Sequence, residues 1–162
     1  MRVWVADDKP ELVRDIVEYQ KRVTEREDPE AALIGVDVLS ITSRSELEMS
    51  VGTCVGAGDG YPDIIFLDLS FDSREDGLNA LKFLKFHVVP SVRNIPVVMY
   101  SQSDSQSDIY VTISFRANAY MTKEGGLRRF WDAVTHWRST QLAPHIEPPD
   151  FEDDLSGSYG LN

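Results

Sequence analysis

The chain has 162 residues and a net charge of −11, and 42% of its residues are hydrophobic. This length fits one domain with a substantial core, and the composition is ordinary for a globular protein. The acidic balance argues against nucleic-acid binding, because phosphates attract Lys and Arg. No apolar run reaches the length of a membrane span, and acids within the first eight residues argue against a secretory signal. The single cysteine excludes an internal disulfide. We expect a cytoplasmic protein that contacts neither nucleic acid nor membrane.

Five short apolar segments, several of them rich in β-branched residues, predict β-strands. They span residues 2–6, 33–41, 63–69, 95–100 and 119–121. The third is a continuous apolar run, which is typical of a strand that is buried on both faces of a parallel sheet.

Helices are predicted between and after these strands, mostly where apolar residues recur at helical spacing. They span about residues 10–27, 43–49, 77–86, 109–115 and 127–137. Residues 109–115 alternate with period two and favour a strand locally, but two parallel neighbours need a crossover, which is usually a helix. We therefore predict a helix there. Residues 52–60 are rich in glycine and are predicted to form a plain loop. A phosphate-binding loop is not expected there, because the segment precedes a strand and lacks the Gly-Lys-Ser/Thr ending.

The alternation of strands and helices predicts a single α/β domain, with a doubly wound, five-stranded parallel sheet and helices on both faces. We expect this domain to cover residues 1–141. Residues 142–162 contain three prolines and five acids but no Lys or Arg, and they carry almost half of the net charge. We interpret them as an acidic tail or linker.

Polar residues lie at the carboxyl ends of four of the five predicted strands, the edge where open α/β sheets bind ligands. They are Asp7, Asp8, Asp68, Ser101 and Lys123. Carboxylate oxygens suit Mg²⁺, while a lysine ammonium and a serine hydroxyl can contact a phosphoryl group. Asp68 can then act as a nucleophile that forms an acyl phosphate.

Five motifs at fitting spacing make the chain resemble the response-regulator receiver domain of two-component signalling over residues 2–140. They are Asp7–Asp8, the strand at 64–68, the turn Asp76–Gly77, the strand at 96–101 and the segment 119–123. The resemblance implies a flavodoxin-like sheet with strand order 2-1-3-4-5.

The resemblance also implies how the acids act. Asp68 would be the phosphorylated residue. Asp7, Asp8 and Asp68 would hold Mg²⁺, together with the backbone carbonyl of Ser70. The phosphoryl group would come from a sensor histidine kinase or a phosphotransfer protein.

The remaining site residues would read out the phosphoryl group. By the resemblance, Ser101 and Lys123 contact it, and Tyr120 is the aromatic switch, although a buried tyrosine commonly only packs. The switched surface would comprise the helix predicted at 109–115, the fifth strand and the last helix. A homodimer through this face and an unknown downstream protein are the expected partners.

Two features depart from the receiver pattern. The loop at 70–76 lacks the usual Met-Pro and is one residue longer, which puts the metal-site geometry in question. Glu124 follows Lys123 where the family has proline, commonly after a cis bond. A non-proline cis bond costs about 2.5–4 kcal/mol, so we expect either a trans bond with a repositioned loop or a strained cis bond.

Three functions remain open. The first is a phosphoacceptor switch that catalyses only its own phosphorylation and dephosphorylation and is otherwise not an enzyme. The second is a receiver-like adaptor that works without phosphate. The third is a phosphatase with an aspartyl nucleophile, which typically has a second acid where this chain has Ser70.

Overall fold

The computed structural model of the chain describes residues 1–25, 35–71 and 73–140. Within these residues, five strands form one sheet in which every neighbouring pair is parallel. The strands are β1 (Arg2–Ala6), β2 (Asp37–Ile41), β3 (Ile64–Leu67), β4 (Val97–Ser101) and β5 (Ala119–Thr122). Their order, β2-β1-β3-β4-β5, confirms the predicted flavodoxin-like topology. The tail at 142–162 lies outside the described residues.

Helices connect the strands and close the domain. They are α1 (Pro10–Glu25), α2 (Arg44–Ala57), α3 (Arg74–Lys85), the one-turn α4 (Pro90–Arg93), α5 (Gln106–Ser114) and α6 (Gly126–Thr140). The helix predicted at 109–115 is confirmed as α5, so the crossover requirement outweighs the local strand propensity there. No helix in the described ranges is long and apolar enough to cross a membrane.

Two apolar clusters, one on each face of the sheet, form the core. Residues of α1 and α6 pack on one face, and residues of α2 and α3 pack on the other. All four residues of β3 are buried, as the continuous apolar run predicts. The fold therefore fixes the sheet firmly and presents its carboxyl edge between two helical layers.

The prediction of a loop at residues 52–60 is wrong, because α2 continues to Ala57. The buried residues of α2 recur at helical spacing: Leu47, Val51 and Cys54. The helix ends at Gly58, whose φ of 75° is the left-handed conformation that suits a helix terminus. Burial of this stripe outweighs the low helix propensity of the glycines.

Helix α3 begins earlier than predicted, at Arg74. Ser73 is its N-cap, since the Ser73 hydroxyl accepts a hydrogen bond from the Asp76 N–H. Gly77 therefore lies inside the helix, where it contacts the loop after β3. A Cβ atom at this position would overlap the Leu69 carbonyl oxygen and lie 2.8 Å from the Asp68 carbonyl oxygen. Only glycine allows α3 to approach this backbone so closely.

We expect Gly77→Ala to lower the free energy of unfolding by about 1–3 kcal/mol, the usual cost of overpacking. Gly52→Ala is a matched control, because it also lies in a helix but has no atoms within 4 Å of the added methyl group. It should stabilise the protein by about 0.5–1 kcal/mol. Urea unfolding measures both, and equal effects of the two substitutions would contradict the close approach.

A buried lysine lies at the opposite, amino edge of the sheet. Lys85, the last residue of α3, donates a hydrogen bond of 2.7 Å from Nζ to the carbonyl oxygen of Ile95, just before β4. Burial lowers the pKa of Lys85 from 10.5 to about 8. The unfolded chain consequently binds more protons than the folded protein between these two pH values, so this group makes stability rise with pH.

We expect the free energy of unfolding of the wild type to rise relative to that of Lys85→Met as the pH increases from 8 towards 10.5. The slope can reach about 1.4 kcal/mol per pH unit. Lys82→Met, on the same helix, controls for the loss of one charge. Parallel curves for wild type and Lys85→Met, measured by urea unfolding across this range, would show that Lys85 does not titrate as proposed.

Candidate functional site

The carboxyl edge of the sheet positions three charged residues through backbone hydrogen bonds that continue beyond the strands. The Asp7 N–H donates to the Ile41 carbonyl oxygen at 3.0 Å, and the Asp68 N–H donates to that of Ala6 at 2.8 Å. The Lys123 N–H similarly donates to the carbonyl oxygen of Ser101 at 2.7 Å. These residues are therefore held by the sheet rather than by loops alone.

Lys123 joins two buried carboxylates. Its Nζ lies 2.6 Å from Oδ2 of Asp7 and 2.9 Å from Oδ2 of Asp68. The side chains of Asp7 and Asp68 are only 1% and 4% exposed, and that of Lys123 is 11% exposed. The ring of Tyr100 lies beneath the ammonium, with its centroid 5.6 Å from Nζ. Charges this poorly hydrated need opposite partners, and the three side chains provide them for one another.

The pKa of Lys123 reflects this balance. Burial lowers the pKa of the ammonium, but hydrogen bonds and charge attraction from Asp7 and Asp68 outweigh burial and raise it above 10.5. Lys123 is thus charged at neutral pH. Its pairing stabilises the fold fully below pH 10.5, and this stabilisation is lost only as the pH rises through the higher folded-state pKa.

The third acid completes a cluster that could hold a metal ion. Asp7, Asp8 and Asp68 each offer a carboxylate oxygen, and these oxygens lie within 4.8 Å of one another. Asp8 is exposed, and it brings the cluster to three carboxylates against the single ammonium of Lys123. Oxygen ligands of this kind suit Mg²⁺ and related divalent cations, so the donor set fits such an ion.

Backbone donors orient the two buried carboxylates. Oδ1 of Asp7 accepts a hydrogen bond of 2.9 Å from the Lys9 N–H. Oδ1 of Asp68 accepts one of 3.2 Å from the N–H of Ser70. Each carboxylate therefore has one oxygen facing Lys123 and the other facing the start of its own loop.

The loop after Asp68 is described except at one residue. Phe71 is fully buried in the core, while Ser70 is exposed. Asp72 lies outside the described residues. The bond between Lys123 and Glu124 is trans, because no peptide bond in the described ranges is cis. The trans bond agrees with the first half of one expectation, and the repositioned loop that we expected with it stays a prediction.

Ser101 and Tyr120 lie beside the acids on β4 and β5. Ser101 is 1% exposed, and its Oγ accepts a hydrogen bond of 3.2 Å from the Ser103 N–H. The Tyr120 hydroxyl donates one of 2.8 Å to the Ser103 carbonyl oxygen. Burial raises the pKa of Tyr120. Tyr120 also packs against the core, so it combines the packing role with a bond to the loop.

Sequence reasoning missed two polar residues next to the site. Ser103 bonds to both Ser101 and Tyr120, and its side chain reaches Asp108, which is 7% exposed. The run of serines and acids at 101–108 is the only sequence signal for them, and it is typical of any solvated loop.

Sequence comparison finds a related protein that matches over part of the chain. No known family model matches the chain. Response regulator Rcp1 from Synechocystis is 29% identical over 87 residues, a match that covers 51% of this chain and 57% of Rcp1. The match thus spans little more than half of that relative's length.

Solved structures extend the comparison over most of the chain. Phosphorylated RcpA, a cyanobacterial phytochrome response regulator, has a TM-score of 0.66 at 23% identity and covers 90% of this chain and 96% of its own. The chain has the receiver-domain fold. A receiver domain from Rhodospirillum rubrum gives a TM-score of 0.63 at 22% identity, with coverage of 90% and 96%. Mn²⁺-bound Rcp1 gives 0.58 at 19%, with coverage of 91% and 98%. The receiver resemblance of the sequence is confirmed.

In this receiver fold, we expect Lys123→Met to lower the free energy of unfolding by about 3 kcal/mol at pH 7 in metal-free buffer. Removing one partner of a buried ion pair leaves the other charges uncompensated. Urea unfolding measures the change. Arg128→Met is the control, because Arg128 and Asp132 form an exposed pair at 4.0 Å and such pairs contribute about 0–1 kcal/mol. Equal losses in the two variants would contradict the central role of Lys123.

Proposed function

We propose that this chain is the phosphoacceptor receiver of a response regulator, and that it takes a phosphoryl group onto Asp68. The observation that carries the proposal is the ammonium of Lys123 held between Asp7 and Asp68 at the carboxyl edge of a receiver fold. In the proposal, Asp68 is the nucleophile, Lys123 is the fixed positive charge, and the acids around them form the cation site.

In the proposed reaction, a carboxylate oxygen of Asp68 attacks the phosphorus of a phosphohistidine on the donor protein. The new O–P bond gives an acyl phosphate, while the P–N bond breaks and its electron pair returns to the imidazole. Phosphoryl transfer of this kind depends on positioning and on charge stabilisation. Lys123 supplies a positive charge that moves from pairing Asp68 to pairing the phosphoryl oxygens.

Asp7, Asp8, Asp68 and the backbone carbonyl of Ser70 are the proposed ligands of Mg²⁺. When bound, a divalent ion neutralises the acids and the incoming phosphoryl oxygens. A structure of the similar protein Rcp1 is a Mn²⁺-bound form, which supports binding of a divalent cation, and the three convergent carboxylates support its placement here.

Ser101 and Tyr120 are the proposed readout of the phosphoryl group. The Ser101 hydroxyl would donate to a phosphoryl oxygen, and Tyr120 would respond through the loop that both residues contact. The resulting charge would bias the surface formed by α5, β5 and α6. That surface is the proposed contact for a downstream protein or for a second copy of the chain.

The proposed receiver unit covers residues 1–141, with residues 142–162 as its acidic tail. The donor would be a sensor histidine kinase or a phosphotransfer protein, as the resemblance implies. The phosphorylated state of the similar protein RcpA supports the chemistry. No observation favours the adaptor or the phosphatase, and Ser70 stands where the phosphatase needs its second acid.

The test is the intact mass of the protein after incubation with acetyl phosphate and Mg²⁺. We expect one base-labile phosphoryl adduct on the wild type, at least tenfold less adduct in excess EDTA, and none on Asp68→Asn. The amide of asparagine keeps the shape of the side chain but is a poor nucleophile.

Asp132→Asn is the matched control, because Asp132 is an exposed aspartate on α6. It should label like the wild type. An adduct that survives Asp68→Asn would place the phosphoacceptor elsewhere. A wild type that stays unlabelled, while a known receiver is labelled in parallel, would overturn the proposed function.

A further inference from the structure

The loop between β4 and α5 contains one serine that contacts the site, the tyrosine and the helix at the same time. Ser103 uses its backbone for the first two contacts. Its N–H donates to Oγ of Ser101 at 3.2 Å, and its carbonyl oxygen accepts from the hydroxyl of Tyr120 at 2.8 Å. The main chain of Ser103 is therefore fixed by the two residues proposed to read the phosphoryl group.

The side chain of Ser103 makes the contact with α5. Its Oγ donates to Oδ2 of Asp108 at 2.6 Å. The same Oγ accepts from the Ser105 N–H at 3.2 Å, just before the helix begins. Asp108 lies in the first turn of α5 and is buried. The hydroxyl of Ser103 thus attaches the loop to the inner face of the helix.

Asp108 also takes part in a side-chain hydrogen bond within the helix. The hydroxyl of Thr112, one turn later, is shared between the carbonyl oxygens of Asp108 at 3.0 Å and Ile109 at 2.9 Å, and Thr112 is fully buried. Tyr110 and Ile113, on the same helix, are 76% and 43% exposed. A shift of Asp108 would therefore change how the helix presents these apolar side chains.

We propose that Ser103 is the positioning residue that couples the Ser101 hydroxyl to α5, through its own hydroxyl and Asp108. This inference rests on the proposed function, since phosphorylation is what would move Ser101. When the Ser101 hydroxyl turns to a phosphoryl oxygen, its bond to the Ser103 N–H shifts. The Ser103 hydroxyl passes the shift to Asp108, and the first turn of α5 responds.

Ser103→Ala separates coupling from chemistry. It keeps the N–H and the carbonyl that contact Ser101 and Tyr120, and it removes only the hydroxyl that reaches Asp108. Ser103→Thr restores a hydroxyl and should restore the coupling. Ser107→Ala is the matched control, because the Ser107 hydroxyl pairs with that of Ser105 at 2.7 Å and lies on the exposed side of the same turn.

The first experiment compares hydrogen exchange of amides 106–114 in the full chain before and after labelling with acetyl phosphate and Mg²⁺. In the wild type and Ser107→Ala, labelling should change exchange in the first turn of α5 about two- to tenfold, the factor expected for gaining or losing one hydrogen bond. In Ser103→Ala the adduct should still form, but the change should fall below half of the wild-type value. Ser103→Thr should recover it.

The second experiment needs no phosphorylation. Ser101→Ala in the unlabelled chain should alter exchange of the same amides about two- to tenfold. In the Ser103→Ala background the Ser101→Ala substitution should have no effect, because the hydrogen bond from Ser103 to Asp108 is already absent. This cycle measures the coupling between Ser101 and the helix directly.

The outcomes separate the two proposals. A labelled Ser103→Ala whose α5 responds like the wild type overturns the coupling and leaves the phosphoacceptor standing. A wild type that takes no phosphoryl group overturns the proposed function, and the unlabelled cycle then decides the coupling alone. Additive effects of Ser101→Ala and Ser103→Ala overturn the coupling in either case.

Discussion

The ammonium of Lys123 between Asp7 and Asp68 is the interaction on which the site depends. Lys123 is separated from these acids by 116 and 55 residues, so the contact forms only when β1, β3 and β5 share one edge. Each acid would be costly to bury alone. The fold and the charge triad therefore require each other, and the same triad leaves a surplus of negative charge that favours a cation.

Much of this arrangement could be predicted from the sequence, because short apolar strands end abruptly in polar residues. The continuous apolar run before Asp68 is typical of a central strand in a sheet that is buried on both faces. Topology also decided the helix over residues 106–114 against local propensity. The error at residues 52–60 has a physical cause: Gly52 and Gly56 suggest a loop, yet they lie on the exposed side of α2. Tertiary packing of the other side overrides them.

The coupling residues could not be predicted in this way. Ser103 and Asp108 act through hydrogen bonds between a loop and the first turn of a helix, and no periodic pattern marks such bonds. A buried aspartate inside a polar segment looks like any solvated acid until its neighbours are known. The N-cap at Ser73 is similar, since its position depends on how closely Gly77 lets α3 approach the backbone.

The close approach at Gly77 also means that the two segments flanking the site are held in different ways. On one side, the backbone after Asp68 packs directly against α3 at Gly77, and the Phe71 side chain is buried in the core. On the other side, the segment after Ser101 is held by a few hydrogen bonds among small polar side chains. We expect a charge added between a closely packed segment and one held by hydrogen bonds to displace the second. The packing around Gly77 would thus direct a structural change towards the segment after Ser101 and α5.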